Sequence, residues 1–116
     1  MSKQDTKRDM RAQYEEREVV GGVYLIRNAH SNKLLLESTT DLRSSANRFT
    51  FSQKTGSCVY LKLQQDWTAQ GGKGFTFEVL EELRKEKTLT ESAYKADLDL
   101  MLSLWRERLS NENLYT

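Results

Sequence analysis

From Gly22 onward the chain alternates short apolar runs with polar breaks, and the densest pattern lies between Gly22 and Thr40. Val23, Leu25 and Ile26 form a β-rich run. Asn28, Ser31 and Asn32 supply turn chemistry, and Leu34, Leu35 and Leu36 then restore the apolar character. Two such runs across a short polar break predict a hairpin. The small hydroxyls and the carboxylate at residues 38–41 suit a helix start, because their oxygens accept from free backbone N–H groups. A helix is therefore predicted over 39–48, with Phe49 and Phe51 packing at its end. Over 57–70, Tyr60, Leu63 and Trp67 recur at i, i+3 and i+7, with Val59 four before Leu63, predicting a second helix that Gly71-Gly72 stops. Phe75, Phe77 and Val79 alternate with polar residues, the period of a strand with one buried face, and Leu80 and Leu83 carry its apolar character further. The longest helix is predicted over 90–109, where Tyr94, Leu98, Met101, Leu102, Trp105 and Leu109 make a wide face suited to a sheet. Thr90, or Thr88 with Glu91, can cap its start. Upstream, residues 3–18 are charge-rich with Met10 and Tyr14 on a narrow stripe, which predicts a mostly solvated helix.

At 116 residues and 37% hydrophobic, the chain suits one domain with one modest core. Its 18 basic and 17 acidic side chains nearly cancel. Residues 19–74 nevertheless carry seven basic against three acidic side chains, a local net of +4. One cysteine, Cys58, cannot form an internal disulfide, and one histidine, His30, cannot build a histidine metal site alone. Those counts point to a reducing compartment, and a cytoplasmic location is expected. No apolar run of membrane-spanning length is present, and the polar start does not read as a secretory signal.

The hairpin resembles the paired signature of the GIY-YIG nuclease family, a Gly-Ile-Tyr strand followed about ten residues on by a Tyr-Ile-Gly strand. Gly22-Val23-Tyr24 matches the first half with one conservative change, and Asn28 falls where the family often has asparagine. Leu35-Leu36-Glu37 stands in place of the second half, followed by agreeing residues at Ser38 and Asp41. Lys62-Leu63-Gln64, Phe77-Glu78-Val79-Leu80-Glu81 and Trp105 extend the likeness over residues 20–109. The resemblance implies an α+β fold with a small three-stranded antiparallel sheet flanked by helices. Here it would carry an extra N-terminal helix, dividing the chain into an arm (1–19), the domain (20–110) and a tail (111–116).

GIY-YIG nucleases cut phosphodiesters with two tyrosines, an arginine and a glutamate that holds a divalent metal, often helped by a histidine and an asparagine. Carried over by position, Tyr24 is the first tyrosine, Leu35 replaces the second and Glu37 replaces the glycine. The arginine position falls on Ser45, with Arg48 on the same helical face and Arg43 pointing elsewhere. The metal glutamate falls on Leu102, with Asp99 one turn earlier as the one displaced candidate ligand. The histidine falls near Cys58, and Asn111 and Asn113 offer no secure asparagine. Loss of the metal ligand together with the arginine removes the charge stabilisation that phosphodiester cleavage needs. The expectation is a domain without nuclease activity and without a cofactor, binding DNA weakly through Lys33, Arg43, Arg48, Lys54 and Lys62. Two alternatives stand beside it. One is a metal-dependent (Mg²⁺ or Mn²⁺) DNA endonuclease with a rearranged site of Tyr24, Arg48 and Asp99. The other is a protein-interaction module, with a protein partner or homodimer formed through the N-terminal helix.

Overall fold

The computed structural model describes residues 19–116; the predicted helix over 3–18 lies outside the described residues. Three strands form one antiparallel sheet: β1 (Val20–Asn28), β2 (Leu34–Thr39) and β3 (Phe75–Arg84), in the order β2-β1-β3. Between β2 and β3 lie helix α1 (Leu42–Thr55), a 3₁₀ turn at Leu61–Leu63 and helix α2 (Gln64–Gln70); helix α3 (Glu91–Arg108) follows β3. This is the α+β architecture that the sequence resemblance implies.

Strand β1 is hydrogen-bonded on both edges, so its side chains alternate between two covered faces. Tyr24 and Ile26 join Leu35, Leu42, Phe49, Leu63, Trp67 and Phe75 under α1 and α2. Val23 and Leu25 join Leu34, Leu36 and Leu102 under α3. The sheet thus separates two apolar clusters, where composition had suggested a single core. Aromatic stacking tightens the first: the Tyr24 and Phe77 rings lie 4.6 Å apart and those of Trp67 and Phe75 lie 5.0 Å apart.

Several boundaries move from their expected places, each for a local reason. Asp41 does cap α1, accepting from the Ser44 N–H at 3.1 Å, but the helix runs on to Thr55. It stops where Gly56 takes a left-handed φ of 76° and donates its N–H to the Ser52 carbonyl. Because the helix continues, Phe51 is turned away from the buried Phe49 and is 64% exposed instead of packing. Residues 57–60 are not helical; the helical path starts at Leu61, Val59 is exposed, and Tyr60 is extended. Strand β3 outruns the predicted 75–79 because it pairs with all of β1, down to Val20 opposite Arg84. Beyond α3, Leu114 bridges to Leu34, and Tyr115 shares the Asn28 and Asp66 side chains.

Strand β3 comes close to β1 at Gly22, beside a register shift between Val23 and Tyr24. The Tyr94 hydroxyl accepts from the Gly21 N–H and donates to the Leu83 carbonyl, holding that irregularity together. A Cβ on Gly22 would meet the Glu81 carbonyl oxygen at 2.1 Å, a backbone clash that no rotamer relieves. Gly22→Ala is therefore expected to destabilise the domain by about 1–3 kcal/mol. Thermal unfolding checks this: a melting temperature within about 2 °C of the parent would show that the strands do not need this approach.

Candidate functional site

The α1 face of the sheet opens at the β2 end into a cleft of about 570 Å³. The period of two along β2 sends Leu35 and Glu37 to the side of Tyr24, and Glu37 lies directly opposite Tyr24 in the strand register. Helix α1 contributes Ser45 and Arg48, one turn apart, and the α1–α2 connection contributes Val59, Tyr60, Leu61 and Lys62. Thr39 orients the α1 side, since the Ser45 hydroxyl donates to its hydroxyl at 2.9 Å.

Two phenols meet in this cleft. Burial pushes the Tyr24 hydroxyl above the ordinary phenol range, and the Glu37 carboxylate adds to the rise, while the Ser45 hydroxyl and Arg48 oppose it. Burial also pushes Tyr60 up, to about 12, with Tyr24 adding to the rise and Arg48 opposing it. Both are therefore neutral at pH 7, so each is a hydrogen-bond donor and not a base. The Tyr60 oxygen is shielded from solvent and pairs with no group among the described residues.

Of the residues singled out from the sequence, Tyr24, Arg48 and Lys62 come together here. Asp99 does not; it lines a separate depression with Lys95 and Leu98, beyond Ser38–Thr40. Lys54 lines another with Lys73, Lys33 lies over the Tyr115 ring, and Arg43 is exposed on α1 away from the cleft lining. Cys58 is partly buried, its thiol donating to the Tyr60 carbonyl, and His30 is exposed in the hairpin turn. Tyr60 was missed as a site residue because its spacing to Leu63 and Trp67 reads as a helix stripe. No local motif marks it.

Leu102, where the sequence resemblance puts the family's metal glutamate, lies in the apolar cluster on the opposite sheet face, with Leu34 and Leu36. A hard cation needs oxygen ligands, and no group of three histidine, cysteine, aspartate or glutamate residues is poised to hold a metal among the described residues. The cleft has carboxylates at Glu37 and Asp41, and Asp41 is engaged in capping α1. The residues present therefore do not fit the metal site that the fold implies.

These elements define a GIY-YIG-like nuclease fold. Among solved structures, the chain is similar to a mutant of the catalytic domain of intron endonuclease I-TevI, with a TM-score of 0.60 and 24% identity, covering 84% of this chain and 92% of that chain. A second structure of the catalytic domain of homing endonuclease I-TevI gives a TM-score of 0.59 and 25% identity over 82% and 95% of the two chains. No protein-family model matches the chain and no curated protein matches it in sequence, so the likeness is carried by the three-dimensional fold.

The raised phenols have a stability consequence. A tyrosine whose folded pKa exceeds its unfolded value of about 10 holds its proton more tightly in the folded state. Its stabilising contribution is complete below pH 10 and is lost as pH rises toward about 12. Urea unfolding between pH 9 and 11.5 is expected to show stability falling with pH, and falling less steeply in Tyr60→Phe. Parallel pH profiles for the two proteins would contradict the Tyr60 assignment.

Proposed function

We propose that this domain keeps the nuclease scaffold as a nucleic-acid-binding surface and no longer hydrolyses phosphodiesters by a metal-assisted route. The observation that carries the reading is the placement of Leu102, sealed in apolar packing on the sheet face opposite Tyr24. An endonuclease fold supplies the ligand class, and Arg48 and Lys62 at the cleft supply positive charge for a phosphate backbone. Both phenols are neutral and unsuited to remove a proton from a nucleophile. Glu37 opposes binding, placing a carboxylate where the family has a glycine. The interface is small, so binding is weak and independent of base sequence.

The absence of any membrane-length apolar helix among the described residues fits a domain that meets nucleic acid in solution. A cytoplasmic setting belongs to the same proposal. Lys33, Arg43 and Lys54 lie outside the cleft and add at most peripheral phosphate contacts.

The test mixes purified protein with labelled duplex and branched DNA at low salt, with Mg²⁺ or Mn²⁺ and then with a chelator. Binding without cutting is expected, with a log–log salt slope of about −2 for two phosphate contacts. Arg48→Ala should reduce that slope by about 1, and Glu37→Gln should tighten binding by about two- to fivefold. Metal-dependent cleavage that disappears in Tyr24→Phe would overturn the reading and establish a rearranged active site.

A further inference from the structure

A second concavity, of about 360 Å³, runs between helix α3 and the edge strand β3. Helix α3 lines it with Leu100, Met101, Leu104 and Trp105. Leu98 and Leu102 are buried toward the sheet, and Leu100 and Leu104 each lie two residues from them, about 200° around the helix. They are 61% and 56% exposed. A helix that only covers a sheet has no use for leucines there.

The two ends of this face carry opposite charges. Asp97 lines the end nearer the start of α3, and Arg108 lines the end at its close. Eleven residues of helix separate them, about 16 Å along the axis, so they do not pair within one chain. Arg108 is held in place, its guanidinium 4.6 Å over the Trp105 ring, while the Trp105 indole N–H donates to the Glu81 carboxylate at 2.8 Å. Stacking on a ring leaves the N–H fork of an arginine free to meet a carboxylate.

We infer that this face pairs with the same face of a second copy of the chain, the two α3 helices lying antiparallel across a two-fold axis between Leu102 and Ser103. The α3 positions 97, 100, 101, 104, 105 and 108 have the same spacing read from either end, as a self-complementary contact requires. Antiparallel pairing sets Leu100 opposite Trp105 of the second copy and Met101 opposite its Leu104. It also sets Asp97 opposite the second copy's Arg108, twice over. Parallel pairing would oppose aspartate to aspartate and arginine to arginine, and like charges reject it. The contact is on the α3 side of the sheet, so the cleft beside Tyr24 stays open in both copies. The inference does not depend on the nucleic-acid reading. A contact of this size is smaller than a standard interface, so association is weak and depends on concentration.

Sedimentation equilibrium of the full chain between about 10 µM and about 1 mM tests the pairing. The weight-average mass is expected to rise from one chain toward two. Asp97→Arg and Arg108→Asp should each weaken self-association about tenfold or more, at a melting temperature unchanged when the protein is dilute, because each sets like charges across the axis. Mixing the two variants in equal amounts should restore association to within about threefold of the parent, since the charges are then opposite at both ends. Leu104→Ser should weaken association without lowering the dilute melting temperature. A single-chain mass throughout the range would overturn the inference and leave the groove to another occupant. Association indifferent to both charge reversals, or weakened by each and not restored in the mixture, would overturn it equally.

Discussion

Strand β1 is paired along both edges, and each of its side chains must therefore enter one of two enclosed faces. This constraint organises the molecule. It commits Val23 and Leu25 to the α3 side and Tyr24 and Ile26 to the α1 side, and the register with β2 then carries Glu37 to Tyr24. Gly22 permits the close approach of β3 that completes the pairing, and Gly21 makes room for the Tyr94 hydroxyl that bridges it to Leu83. Shifting the register by one residue would exchange the faces and dismantle both clusters and the cleft.

The same alternation decides what chemistry the fold can host. Leu102 packs against β2 residues of the α3 side, so the position where the sequence resemblance expects a carboxylate lies in apolar contact. On the α1 side the cleft brings together hydroxyls, the Glu37 carboxylate and the Arg48 and Lys62 cations, and burial keeps both phenols protonated well beyond neutral pH. The cleft thus holds both signs of charge, Glu37 on β2 against Arg48 on α1 and Lys62 on the connection.

Much of the fold was legible because its signals are local. The hairpin, the Asp41 and Thr90 caps and the α3 face each follow from period and capping chemistry within a few residues. The misplaced boundaries came from competing signals of similar strength. Val59, Tyr60, Leu63 and Trp67 mimic a helical stripe, while Gly56 and the extended Tyr60 break the path and leave Val59 exposed. The candidate site was legible only in part. Tyr24 and Arg48 carried a motif or a helical spacing from one, whereas Tyr60 reaches the cleft through a connection whose course depends on tertiary packing. Asp99 shares a helical face with Leu102 in projection, but its depression lies beyond Ser38–Thr40.

A crystal structure of the protein with a short duplex, grown at low salt in Mg²⁺, tests the central claim most directly. A backbone phosphate within hydrogen-bonding distance of Arg48 in the cleft, the duplex uncut and no cation coordinated there, is the expected result. A Mg²⁺ ion bound by Glu37 beside a scissile phosphate, or a duplex seated on the α3 face, would contradict it.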